Sequence, residues 1–300
     1  MTIKNKLGVH AYVWEHGWSR EQATRAISRT AEAGFDFIEA SPMDPSTFDR
    51  AHTAKALEAA GIGVTFSFGL GFEADISSCD PEKEKRGRAL LFEQVGLCRD
   101  CGGTSIAGIL YSGFGKYYTQ PTAEGIRRSA DILRDVAEEA AKSDIILGLE
   151  VVNRYETNIL NTAAQGVEMC QRIDAPNVKV HLDVYHMNIE ESDMASAIVD
   201  AGPYIGYFHT GDSHRGYLGS GSIDLQSAFR ALVRAKYEGP ITFKSFSSRV
   251  VGQPLEGILG IWRNLWEDGF DLATHALMYT RAQLKAAQEV ERQAARSRLP

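Results

Sequence analysis

The chain has 300 residues, of which 44% are hydrophobic and 24% are charged, and its formal net charge is -7. This balance is typical of an ordinary soluble globular protein and excludes a largely disordered chain, a collagen and a disulfide scaffold. The negative charge disfavours nucleic acid as a partner, because no concentrated basic patch is evident. The longest apolar stretch, roughly residues 62–72, is too short and too rich in glycine to span a membrane, so we expect no membrane partner.

The N-terminal segment and the cysteines indicate in which cellular compartment the protein is expected. The segment MTIKNKLGVHAYVW has no secretory hydrophobic region and no cleavage site, so we expect a cytoplasmic protein. Cys98 and Cys101 form a C-x-x-C pair at the end of a helical run. A structural zinc site needs two further ligands in a similar pattern, and none follows nearby. We therefore expect reduced thiols packed at a helix end.

Taken in chain order, short apolar segments alternate with amphipathic helical runs. The segments are nearly continuously apolar, which is typical of parallel strands buried on both faces. The predicted strands are residues 7–14, 35–40, 62–68, 104–110, 145–151, 178–184, 204–210 and 240–246. Helix starts are indicated by a capping box at Ser19 and Gln22, by Asp80 before Pro81, and by Asp224, whose helix should stop at Gly239.

This repeated strand–helix order predicts an α/β fold, a single (β/α)8 TIM barrel over residues 1–300. The last helical run, about residues 255–300, is longer than a final barrel helix needs, so we expect an extended C-terminal helical region. A doubly wound open sheet is the alternative. It would carry a glycine-rich phosphate loop after its first strand, where this chain reads EHGWSREQ.

Polar residues end three successive predicted strands. Strand five ends at Glu150, strand six at Asp183 and strand seven near His209. Strand ends of a TIM barrel meet at the catalytic mouth, and carboxylates buried among apolar residues need compensation that a divalent cation can supply. Two carboxylates and one imidazole suit Mn²⁺, Mg²⁺ or Co²⁺ in an open site. The loops that follow are rich in polar side chains and glycines, which suits a polyol ligand.

Three long motifs carry a family resemblance: GLEVVNRYETNILNT, HLDVYHMNIEESD and HTGDSHRGYLGSGSID. They closely resemble the ketose 3-epimerases of D-tagatose, D-allulose (D-psicose) and L-ribulose, within the xylose isomerase-like barrels. The resemblance implies interconversion of free ketoses at C3 and a homodimer or homotetramer. It implies a divalent metal, Mn²⁺ before Co²⁺ or Mg²⁺, held by Glu150, Asp183 and His209. It also implies substrate contacts from Glu156, His186 and Arg215.

The fourth metal ligand of the family, a glutamate on strand eight, does not match. The flanking residues align as TFKSFSS, which puts Lys244 at the position of this ligand and second catalytic glutamate. Epimerisation requires a proton to leave one face of C3 and return to the other, and the resemblance gives these roles to Glu150 and the residue at 244. Lys244 could deprotonate, or it could replace the metal as the counter-charge. We favour the second outcome and expect weakened metal binding and impaired activity.

Several alternatives remain open from the sequence. An aldose–ketose isomerase on the same barrel would also use an enediol, and a sugar-binding pseudoenzyme would recognise ketoses without turning them over. A Schiff-base lyase through Lys244 is a further possibility. The pocket residues that would select the ketose are drawn from His10, Trp14, Ser67, Tyr111 and Phe246.

Overall fold

The computed structural model describes residues 3–42 and 45–296. Parallel strands pair in chain order, and the last pairs with the first, so they close a barrel. The predicted TIM barrel is therefore confirmed. The strands are β1 Leu7–His10, β2 Phe37–Ala40, β3 Gly63–Ser67, β4 Ser105–Gly108, β5 Ile146–Glu150, β6 Val178–Asp183, β7 Ile205–Thr210 and β8 Ile241–Phe243. That residues 1–300 form one domain stays a prediction.

Each strand lies inside its predicted segment and is shorter than that segment. The first predicted strand continued to Trp14, whereas β1 ends at His10 because Ala11–Val13 forms a single turn of 3-10 helix. The Tyr12 N–H donates to the His10 side chain and starts that turn. At the other end of the sequence, β8 stops at Phe243, and the next backbone N–H, that of Lys244, still donates to the Thr210 carbonyl at 2.8 Å.

The helices follow the predicted start signals. Ser19 and Gln22 form the capping box, Asp80 caps the helix that opens with Pro81, and Asp224 caps the helix that follows β7. That last helix ends at Arg234, earlier than the expected stop at Gly239. The helices are α1 Arg20–Glu32, α2 Arg50–Ala60, α3 Pro81–Asp100, α4 Ala123–Ala141, α5 Ala163–Ile173, α6 Val184–Glu190, α7 Met194–Ala201, α8 Leu225–Arg234, α9 Leu255–Leu259 and α10 Gly269–Arg296.

The C-terminal region differs from the single helical run that the sequence predicted over about residues 255–300. It forms two helices, because Gly260 takes a left-handed conformation at φ 65° and ends α9. The longer helix, α10, packs on α8 and β8, and its residues Leu272 and Leu284 are buried. Residues 297–300 of the predicted region lie outside the described residues.

Close packing fills the barrel interior below the mouth. The Phe37 ring lies directly against Gly8, where a side chain on Gly8 would overlap the ring. Three of the four cysteines, Cys98, Cys101 and Cys170, are buried, and all four thiols are free. Burial raises the pKa of Cys101 to about 11 and that of Cys170 to about 12. Throughout residues 3–42 and 45–296, every helix is too short or too polar to cross a membrane.

Candidate active site

The strand-end residues predicted from the sequence converge at the barrel mouth. In the parallel register, Asp183 lies beside His209, and Glu150 lies beside His181. His209 Nδ1 is 3.4 Å from Glu150 Oε1 and 3.4 Å from Asp183 Oδ2. All of these side chains are buried. They meet because parallel strands present their carboxyl ends at one rim of the barrel.

Lys244 reaches the same cluster from the end of β8. Its Nζ donates a hydrogen bond of 2.9 Å to Glu150 Oε1 and lies 3.7 Å from Asp183 Oδ2. Burial alone would lower the pKa of this lysine, but the Glu150 and Asp183 carboxylates together raise it above its ordinary value. The two carboxylates thus favour the ammonium form of Lys244.

Both carboxylates of the cluster are held in their charged form. Burial would raise the pKa of Glu150, but Lys244, His181 and His209 hold that pKa well below its ordinary value. Burial opposes ionisation of Asp183 as well, and there the Arg215 guanidinium is the strongest group that lowers the pKa. Each carboxylate is thus compensated by a cation of the chain itself.

Glu39 is a buried acidic residue that the sequence analysis missed. It lies in β2, it is 0% exposed, and its carboxylate accepts from His209 Nε2 at 2.8 Å and from the Tyr207 hydroxyl at 2.7 Å. Burial disfavours the charged form of His209, but Glu39, Asp183 and Glu150 together outweigh burial, and the pKa of His209 rises to about 10. The signal was present in the sequence, because the FIEA segment has a carboxylate one residue before the end of its strand, close to the last position that Glu150 and Asp183 occupy in theirs.

The three residues expected to contact substrate lie around the same cluster. Arg215 is buried and donates to both oxygens of Asp183, at 3.3 and 3.1 Å, while its guanidinium lies 4.0 Å from the centre of the Tyr185 ring. His186 Nε2 is 3.8 Å from Glu150 Oε1 and 3.9 Å from Glu156 Oε2. Arg215 therefore holds Asp183 in addition to any contact with a ligand.

A cavity of about 300 Å³ opens above this cluster. Its polar side includes Glu150, Glu156, His186, Arg215 and Lys244, and its outer rim is apolar through residues such as Phe114, Leu259 and Trp262. The pocket candidates His10, Ser67 and Phe246 line it, whereas Trp14 and Tyr111 do not. Trp14 and Tyr111 form hydrogen bonds outside the cavity, since the Trp14 indole donates to Thr30 and the Tyr111 hydroxyl donates to the Glu150 backbone carbonyl.

The donor atoms include ligands that could bind a metal ion. His209 Nδ1 is buried without a hydrogen-bond partner among the described residues and faces the two carboxylates. Two groups, Glu150 with His181 and His209, and Glu150 with Asp183 and His186, bring ligand atoms within 4.8 Å of one another. Lys244 does not fit such an ion, because an ammonium has no lone pair and this one lies where a cation would meet Glu150.

Comparison with known proteins agrees with this architecture. The family model described as xylose isomerase-like TIM barrel matches residues 27–291. The chain belongs to that family and, within it, to the ketose 3-epimerases.

It is 44% identical to a ketose 3-epimerase of Arthrobacter globiformis, over 95% of this chain and 99% of that protein. It is 43% identical to an L-ribulose 3-epimerase of Mesorhizobium japonicum, over 94% of this chain and 95% of that protein. A D-allulose 3-epimerase from Methylomonas sp., solved in complex with D-allulose, superposes with a TM-score of 0.92 at 41% identity, covering 94% of this chain and 98% of that one.

Proposed function

We propose that this protein binds free ketoses at the barrel mouth and carries out epimerisation at C3 as an impaired enzyme. The pairs D-tagatose/D-sorbose, D-fructose/D-allulose and L-ribulose/L-xylulose are the proposed substrates. The observation that carries the proposal is the Glu150 carboxylate, which lines the cavity beside Asp183, His209 and Arg215. The relatives, which include L-ribulose and D-psicose 3-epimerases, support the substrate class.

Proton transfer at C3 needs two groups, because a proton leaves one face and another returns to the opposite face. The depressed pKa of Glu150 keeps it deprotonated at neutral pH, which is the form that abstracts a proton. Lys244 stands at the position of the second group, and its raised pKa keeps it protonated and unable to act as a base. Exchange between the faces is therefore slow. Lys244 and Arg215 both line the cavity and would face the enediolate left by the first step.

The remaining site roles are part of the same proposal. Glu156, His186 and Arg215 bind the sugar hydroxyl groups. Once Lys244 is replaced by a carboxylate, Mn²⁺ would bind to Glu150, Asp183 and His209, with Co²⁺ or Mg²⁺ as alternatives. When bound, such an ion would polarise the ketone as a Lewis acid. We further propose a cytoplasmic homodimer or homotetramer. Its interface would cover Ile258 and Trp262, which are 49% and 69% exposed.

The test compares the protein with Lys244→Glu in Mn²⁺ or Co²⁺, following D-fructose to D-allulose and D-tagatose to D-sorbose by chromatography. Restoring a second proton-transfer carboxylate should raise the rate by at least about tenfold, since such groups contribute roughly 10²–10⁴. Equal turnover by the two proteins would contradict the impairment. Aldoses as the products of either protein would replace the epimerase with an aldose–ketose isomerase.

A sugar-binding protein without turnover is the second candidate, and the Lys244–Glu150 hydrogen bond of 2.9 Å favours it, because it occupies the carboxylate that would act on C3. Calorimetric binding of a ketose with no product after prolonged incubation would support this candidate over the enzyme. Borohydride trapping of a sugar on Lys244 would point to Schiff-base chemistry instead.

A further inference from the structure

The two carboxylates nearest Lys244 are each paired with a basic side chain of the protein. Lys244 and Arg215 supply two cations, and Glu150 and Asp183 supply two anions. Each carboxylate has a cation of the chain within hydrogen-bond distance, Lys244 at 2.9 Å from Glu150 and Arg215 at 3.1 Å from Asp183. Buried carboxylates attract external cations when their charge is left uncompensated. Here the chain itself supplies the compensation, so the carboxylates provide little drive to recruit an ion.

Lys244 is also fixed in place. Its backbone N–H is bonded to the Thr210 carbonyl at 2.8 Å, which continues the pairing of β7 with β8 and sets the point where the side chain leaves the barrel wall. The side chain is buried, with Nζ 5.8 Å from the centre of the Phe246 ring. A divalent ion bound to Glu150 Oε1 would lie close to this ammonium, and repulsion between such cations is strong where water is excluded.

We propose that Lys244 is the resident cation of this site, so that the protein excludes divalent metal and binds ketoses without one. The metal exclusion stands on the contacts of Lys244, whereas the sugar binding rests on the proposed function. An ammonium has three N–H donors. Lys244 gives one of them to Glu150, and it lines the cavity, so the other donors are available to carbonyl and hydroxyl oxygens of a sugar.

The first experiment titrates Mn²⁺ into the EDTA-treated, dialysed protein by calorimetry and repeats the melting curve with and without Mn²⁺. The unsubstituted protein should show no saturable binding up to about 1 mM. Lys244→Met and Lys244→Glu should each gain one Mn²⁺ site and melt at a higher temperature in its presence. Lys142→Met is the matched control, because Lys142 is an exposed lysine paired with Glu139, and it should behave as the unsubstituted protein.

One Mn²⁺ bound per unsubstituted chain at micromolar concentration would overturn the exclusion. Lys244→Arg covers the case in which the uncharged or acidic variants fail to fold, because it retains the positive charge. It should also exclude Mn²⁺, and micromolar binding by this variant would again overturn the proposal.

The second experiment titrates D-tagatose, D-fructose and L-ribulose in EDTA and then in Mn²⁺. Their affinities for the unsubstituted protein should agree within about twofold, and Lys244→Met should bind at least about tenfold more weakly in EDTA. Binding that requires Mn²⁺ would overturn metal-free recognition. Absence of ketose binding under both conditions would overturn the proposed function and the sugar part of this inference, whereas the metal exclusion would still stand or fall on the Mn²⁺ titration.

Discussion

Two buried glutamates of the same barrel, Glu39 and Glu150, are stabilised in different ways. Glu39 is 0% exposed and accepts from His209 and Tyr207, and the Tyr207 hydroxyl is in turn 2.7 Å from the hydroxyl oxygens of Thr65 and Thr242. Glu150 is 5% exposed, lines the cavity and accepts a hydrogen bond from the Lys244 ammonium. The first carboxylate is surrounded by the barrel interior, and the second faces a volume that a ligand can enter.

This difference separates a carboxylate that maintains the site from one that can act in it. The hydrogen-bond partners of Glu39, Tyr207 and His209, both belong to β7, and Tyr207 is tied in turn to β3 and β8, so these partners cannot move without disturbing the strands. The hydrogen-bond partner of Glu150, Lys244, lines the same cavity, so a ligand can contact both side chains. Changes at Glu39 should therefore appear as lost stability, and changes around Glu150 as altered binding and turnover.

The strongest test of this contrast is Glu39→Ala. It leaves His209 and Tyr207 without their acceptor in a closed interior, so unfolding should require about 3–5 kcal/mol less free energy. Glu150→Ala should cost less, about 1–3 kcal/mol, because Lys244 keeps Asp183 nearby. Urea unfolding monitored by circular dichroism measures both values. The contrast fails if Glu150→Ala proves to be the more destabilising change.

The pH dependence of stability follows from the histidines beside these carboxylates. Burial lowers the pKa of His10 and His181 from 6.5 to about 3, so their contribution is complete above pH 6.5 and is lost as pH falls toward 3. His209 has the opposite sign. Its pKa is raised from 6.5 to about 10, so its contribution is complete below pH 6.5 and is lost as pH rises toward 10.

The melting temperature in EDTA should therefore have a maximum near pH 6.5, with the depressed carboxylate pKa values adding to the acid limb. Melting curves recorded from about pH 4 to about pH 9.5 test this. In Glu39→Gln, the group that most raises the pKa of His209 is gone, so the alkaline limb should flatten. A melting temperature that climbs steadily above neutral pH in the unsubstituted protein would refute the role given to Glu39.

Arg215→Ala tests the role of the cavity lining next to Glu150. It removes both hydrogen bonds to Asp183, so we expect a loss of about 1–3 kcal/mol in stability, together with roughly tenfold weaker ketose binding. Arg154→Ala is the matched control, because Arg154 is exposed and pairs with Glu190 at the surface, where such pairs contribute about 0–1 kcal/mol. Unchanged ketose affinity in Arg215→Ala would limit Arg215 to holding Asp183.

The smallest expected change is that of Tyr207→Phe. It removes the hydrogen bond to Glu39 and the hydroxyl contacts with Thr65 and Thr242 but retains the His209 contact and the ring, so the cost should be about 1–3 kcal/mol. Ketose affinity should stay the same, because Tyr207 lies below the cavity and does not line it. Denaturant unfolding and calorimetry on the same preparation would check both statements, and a loss of sugar binding would show that the two regions are coupled.

Within residues 3–42 and 45–296, the sequence predicted the strands and most of the residues that converge at the mouth, because those signals are local. Apolar runs, capping residues and strand-end carboxylates are visible within a few positions, and TFKSFSS located Lys244 by its flanks alone. The break at Gly260 was also visible in principle, because a glycine inside a helical run is a common stop signal. Glu39 was missed although it lies only one residue from the end of its strand.

Other features depend on pairing between distant residues, which no local pattern encodes. The bond between Arg215 and Asp183 joins positions 32 residues apart, and the bond between Glu39 and His209 joins positions 170 residues apart. Their formation depends on barrel closure and on the depth at which each side chain lies. The sequence therefore identified which residues reach the mouth, and the folded chain determined which of them neutralise one another.

The cysteines have a practical consequence for chemical labelling. Alkylating reagents attack the thiolate, and burial raises the pKa of the Cys98, Cys101 and Cys170 thiols, so these are almost fully protonated at neutral pH as well as covered. Cys79 is the half-buried one, on the loop between β3 and α3 at the mouth end of the barrel. A maleimide dye should attach at this single position without any cysteine being removed. The unsubstituted chain thus offers one handle for fluorescence or surface tethering on the side where ligands enter.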